Sequence, residues 1–130
     1  PVLFHPDLMQ QAIQFRVAMS QTVGSFSPSG MKTQINLISE EYAELNEAFI
    51  EATTHIQNPR ARAECLKELA DLVYVCFQFA AAAGWELDDA LDRVHESNMS
   101  KLVDGKPLKR DDGKVLKGPN YKPPYLEDLV

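Results

Sequence analysis

Cysteine is scarce in this chain: among 130 residues there are two, Cys65 and Cys76. They stand on one predicted helix, and at about 1.5 Å of rise per residue their backbones lie roughly 16 Å apart, beyond the reach of a disulfide. A disulfide scaffold is thereby excluded, and two buried free thiols in a reducing cytoplasm are expected. Long apolar runs are also lacking. The most apolar stretch, residues 69–83, is too short to span a bilayer and carries Asp71 and Gln78. The opening residues 1–6 show no basic region followed by an apolar run, so no secretory signal is expected. Positive charge is in short supply, with 13 Lys and Arg against 19 Asp and Glu and a net charge of −6. That balance argues against nucleic acid or an anionic membrane as the partner. A nucleotide substrate stays compatible with it, because bound cations invert the local field. There is no Walker loop and no plausible nucleophilic triad.

What is present fits one domain over residues 1–130, with a helical core over about residues 6–102 and an irregular tail over 103–130. An apolar fraction of 45% is ordinary for a globular protein. Four helices are predicted. The first covers about residues 6–22, with Leu8, Ala12, Phe15 and Met19 at helical spacing. Turn chemistry makes residues 24–30 a loop. The second helix covers about residues 32–54. Asn58-Pro59 caps and opens the third, over about residues 59–83, which Gly84 stops. The fourth covers about residues 87–102, with Asp88 and Asp89 in its first turn, where the helix dipole favours them. Beyond it, glycine and proline forbid a long helix, and Asp112-Gly113 suits a small hairpin between residues 108–110 and 114–116.

Two groups of acids stand where apolar residues belong. On the second helix Glu41 falls in the middle of the stripe made by Leu37, Leu45 and Ala48, with Glu44 and Glu40 on its shoulder. On the third, Glu68 falls in the stripe of Leu72, Val75 and Phe79, with Asp71 beside it. Two helices joined by a short turn pack antiparallel, so their inner faces bring four carboxylates together. Two like charges about 4 Å apart repel by about 4 kcal/mol at an effective dielectric of about 20. Either motif alone reads as a solvated helix face. Both together, on apolar stripes of consecutive helices, point to bound cations, and all-oxygen ligation selects magnesium or manganese. A di-iron bundle would need two Glu-x-x-His pairs, and only one Asp92-x-x-His95 is found. The acidic motif has no positive partner nearby in sequence. On the fourth helix Leu87, Leu91 and Val94 define an inner stripe that Asn98 and Lys101 continue, as ligand contacts or as the place where the helix leaves the core. Arg110, Lys114 and Lys117 follow on the tail, which suits a cover closing over phosphates.

At these residues the chain resembles the all-alpha nucleoside triphosphate pyrophosphohydrolases, which include MazG-type enzymes, dimeric dUTPases and phosphoribosyl-ATP pyrophosphohydrolase. The resemblance rests on Glu40-Glu41-Tyr42-Ala43-Glu44, Glu68-Leu69-Ala70-Asp71 with the following Leu72-Val73-Tyr74-Val75, and the segment 94–101. The tail over 112–124 is similar to MazG-like members that hydrolyse dUTP. The resemblance implies an all-α, four-helix MazG-like bundle with an irregular C-terminal tail, assembled as a homodimer or homotetramer. It implies hydrolysis between the α and β phosphates, with dUTP or another house-cleaning nucleotide as substrate. Carried over by position, Glu41, Glu44, Glu68 and Asp71 are expected to hold magnesium. Glu40 is expected as a further ligand or as the residue that orients and deprotonates the attacking water, and Asn98 and Lys101 as substrate contacts. The rival enzyme reading is phosphoribosyl-ATP pyrophosphohydrolase. A non-catalytic helical interaction module would be expected to have lost acids, and none is missing.

Overall fold

Asn58 followed by Pro59 starts a helix in the computed structural model, which describes residues 7–130. The Asn58 side chain accepts from the Arg60 N–H at 3.0 Å. Proline at the first helical position gives up an N–H that has no partner there in any case. The same device starts the preceding helix: Ser27 Oγ accepts from the Gly30 N–H at 3.2 Å, and Pro28 follows. The described residues form four α-helices, α1 (Leu8–Ala18), α2 (Pro28–Thr54), α3 (Pro59–Ala83) and α4 (Leu87–Met99), and no β-strand. The bounds of α3 are those expected. Helix α2 starts four residues before the expected Lys32, so Pro28, Ser29 and Gly30 are helical rather than loop. Helices α1 and α4 both end earlier than expected. The expected start of α1 at Pro6 lies outside the described residues. Its N-cap is Asp7, whose carboxylate accepts from the Gln10 N–H.

The chain divides into two compact units, the first running to Trp85 and the second spanning Glu86–Val130. In the first, α3 packs along α2 and against α1. Its C-terminal half is the centre of the packing, with Phe77 and Ala80 to Ala83 buried. Helix α1 turns Met9, Ala12 and Arg16 inward; Leu8 and Met19, expected on its apolar face, are 42% and 56% exposed. Phe15 meets Tyr74 edge-on at 5.6 Å between ring centres, and Gln78 Nε2 donates to the Ala12 carbonyl. The loop before α2 caps the end of α3, because Gly24 and Ser25 donate their N–H groups to the Ala81 and Ala82 carbonyls. Gly84 ends α3 at φ +83°, and a side chain there would strike the Gly24 backbone at 2.9 Å. Only glycine suits both demands.

In the second unit α4 and the tail hold each other. Ser97 is buried at 6% exposure, whereas Leu91, expected on the inner stripe, is 49% exposed. The Lys122 N–H donates to Ser100 Oγ at 2.9 Å, and Arg93 donates to both Asp128 carboxylate oxygens and to the Tyr125 carbonyl. The Asp112-Gly113 turn forms as a small hairpin, with Lys109 bridged to Val115 and Gly113 at φ +89°. No helix among the described residues is long and apolar enough to cross a membrane. Both cysteines are free and half-buried, and burial pushes the Cys76 thiol above its usual range.

Candidate metal centre

Antiparallel packing of α2 and α3 sets Glu41 and Glu44, one turn apart on α2, against Glu68 on α3. One carboxylate oxygen from each of the three lies within 4.8 Å of the others. Glu68 is 8% exposed, Glu41 half-buried and Glu44 exposed, so the group opens to solvent on the Glu44 side. No donor among the described residues reaches Glu41 Oε2 or Glu68 Oε2, although both oxygens are buried. An unpartnered buried carboxylate oxygen costs free energy unless a cation or a proton meets it. The Glu44 carboxyl shows that strain. It is held above its usual range first by a hydrogen bond shared with Glu41, then by the charge of Glu41 and by Glu68. Orphaned buried oxygens and an all-carboxylate donor set fit a hard divalent cation.

Asp71 stands one turn beyond Glu68, with its carboxylate on Lys67 at 2.9 Å. Lys67 Nζ also lies 3.3 Å from Glu68 Oε1. The expectation that the acidic motif lacks a positive partner is therefore corrected: Lys67 is that partner. Asp71 first, and Glu68 after it, hold its ammonium well above the ordinary lysine range. The signal was in the sequence, since Lys67 adjoins Glu68 and stands four residues before Asp71. Glu40 is exposed on the shoulder of α2. In the second unit Asn98 is exposed and Lys101 half-buried. Arg110 is paired with Asp112, and Lys117 Nζ lies over the Tyr121 ring at 4.8 Å. Lys114 is exposed, and its N–H donates to Asp112.

Residues 8–98 match the model of the phosphoribosyl-ATP pyrophosphohydrolase family. The chain belongs to this family. It is thereby placed among the MazG-like, all-alpha pyrophosphohydrolases, whose chemistry is the hydrolysis of phosphoanhydrides. The matched span of this phosphoribosyl-ATP pyrophosphohydrolase relative contains Glu40, Glu41, Glu44, Glu68, Asp71 and Asn98, while Lys101 and the tail cations lie beyond it. No curated protein matches the chain.

Proposed function

We propose that the protein hydrolyses a nucleoside triphosphate between its α and β phosphates, with magnesium or manganese, releasing the nucleoside monophosphate and pyrophosphate. The convergence of Glu41, Glu44 and Glu68 within 4.8 Å, with two buried oxygens that no donor among the described residues reaches, carries this reading. A divalent ion held there supplies neutralisation of phosphate oxygens and acidification of a bound water. Glu41, Glu44 and Glu68 would hold it, and Asp71, whose carboxylate lies on Lys67, would be a further ligand. Glu40, exposed beside them, orients the attacking water and takes its proton. Asn98 and Lys101 contact the nucleotide, and Arg110, Lys114 and Lys117 supply charge toward the distal phosphates. The protein acts in the cytoplasm as a homodimer or homotetramer.

The family match favours a second substrate, phosphoribosyl-ATP, cleaved at the same bond by the same acids. A panel of nucleoside and deoxynucleoside triphosphates, dUTP among them, and phosphoribosyl-ATP separates the two when pyrophosphate release is measured with magnesium and with manganese. A dominant kcat/KM for phosphoribosyl-ATP replaces the first substrate with the second. Absence of pyrophosphate from every member of the panel sinks both.

A further inference from the structure

A cleft of about 610 Å³ opens between the C-terminal half of α2 and the N-terminal half of α3. Glu44 and Glu68 stand at one end, His55 and Arg60 at the other. The stretch of α3 from Arg60 to Glu68 measures about 12 Å. Two small residues are part of its lining, Ala48, 8% exposed, on α2 and Ala61 on α3. Its volume is in the range of small-molecule sites, about 300–1,000 Å³.

Charge decides which half of a nucleotide can enter. Glu47, Glu51 and Glu64 add three carboxylates to Glu44 and Glu68. Arg60 and His55 line the cleft against them, with His55 Nε2 already 3.6 Å from Glu51 Oε2, and Lys67 Nζ, outside the lining, lies 3.3 Å from Glu68 Oε1. A polyphosphate laid along this wall meets repulsion at every turn of helix. The end of the cleft at the metal centre needs a ligand, because Glu68, 8% exposed, carries Oε2 with no donor among the described residues. With the scissile α–β bridge at that end, the β and γ phosphates point away from the cleft and the nucleoside lies along it. A carboxylate accepts hydrogen bonds and donates none. The wall of Glu47, Glu51 and Glu64 therefore favours N–H groups on the base and disfavours keto oxygens. Glutamate pairs in this way with the N4 amino group of cytosine.

We propose that the α2–α3 cleft is the nucleoside subsite and that Glu47, Glu51 and Glu64 select a nucleotide whose base carries an exocyclic amino group. This rests on the hydrolase reading above, and it disfavours dUTP as the preferred substrate. The test compares dCTP with dUTP, which differ at C4 by an amino group against an oxo group, in steady-state hydrolysis with magnesium. It also compares dCMP with dUMP in calorimetric binding to the magnesium-loaded protein. A preference for the cytosine member of about tenfold or more is expected in both measurements. The combined Glu47→Gln, Glu51→Gln and Glu64→Gln variant should bring both ratios close to parity. Where that variant does not fold, the three single variants carry the test, each lowering the ratio. Equal treatment of the two bases, or a preference that survives the glutamine variants, overturns the cleft assignment and leaves hydrolysis standing. Selective dCMP binding without hydrolysis of any triphosphate sustains the cleft and removes the hydrolase reading. Neither binding nor hydrolysis removes both.

Discussion

Lys67 Nζ stands 2.9 Å from Asp71 Oδ2 and 3.3 Å from Glu68 Oε1, so a single ammonium serves both acids of α3. It meets part of the negative charge that a divalent ion would meet, and it occupies a carboxylate that the ion would use. Replacing it removes a competitor and a repelling charge together. Lys67→Met should therefore bind magnesium several-fold more tightly, read by calorimetric titration. Weaker or unchanged affinity would show that the ammonium is not in competition with the ion.

Glu68 is the most buried of the clustered acids, and no donor among the described residues reaches its Oε2. Glu68→Gln keeps the shape and removes the charge. Magnesium-dependent hydrolysis should fall by at least about a hundredfold, the scale on which lost electrostatic stabilisation acts. The metal-free variant should melt no lower than the parent, because one repelling charge is gone. Full turnover in this variant would remove Glu68 from the site.

Glu40 is exposed like Glu44 but stands outside the group of three. A base acts in the transition state, whereas a ligand holds the metal–substrate complex at every stage. Glu40→Gln should lower kcat much more than it changes KM. A raised KM with kcat intact would make it a binding residue.

Most of this site was legible before the fold because carboxylates on an apolar stripe have few explanations. Glu41, Glu44 and Glu68 meet as the helical wheel required, while Asp71, the fourth carboxylate expected there, stands outside the group with its oxygen on Lys67. Lys67 was missed for a physical reason: it lies off the stripe, but its flexible stem swings back to Glu68 and Asp71. Helix α3 was readable to the residue because Asn58-Pro59 and Gly84 mark both of its ends. Ser27-Pro28 is the same starting signal for α2, yet Gly24, Ser25, Ser29 and Gly30 around it carry loop composition. On α4, periodicity pointed to Leu91, but the tail settles on Ser97 and Ser100, held by bonds between residues up to 35 positions apart. Nothing in local spacing announces such partners.

The tail is latched by charge. Arg93 Nη2 donates to Asp128 Oδ2 at 2.9 Å and holds that carboxyl below its usual range. The folded pKa is thus below the unfolded one, near about 3.9. The latch contributes in full above the unfolded value and is lost as pH falls through the folded one. Hydrogen exchange at the Lys122 N–H, which Ser100 Oγ accepts, should quicken in step on acidification beyond its intrinsic pH dependence. Asp128→Asn should give the same loosening at neutral pH. Unchanged exchange in Asp128→Asn would show that the Arg93–Asp128 pair does not hold the tail.

Helix α3 has a second apolar face that α1 only half covers. Phe77 is buried and Tyr74 meets Phe15, but Leu66, Leu69 and Val73 stay 66%, 45% and 43% exposed. With Leu8 and Ala12 they line an apolar cavity of about 370 Å³. Burying one such side chain in full contributes about 1.5–3 kcal/mol. A contiguous exposed set of this kind marks an interaction surface. A second copy of the chain is its expected occupant, with α3 central to the assembly. Light scattering at micromolar concentration should give the mass of a dimer or tetramer. Leu69→Lys with Val73→Lys should give a folded monomer, since both side chains are already partly in water and the lysines can extend outward. A monomeric mass for the unaltered protein, or an unchanged oligomer in the double variant, would mean that this face is covered by something else.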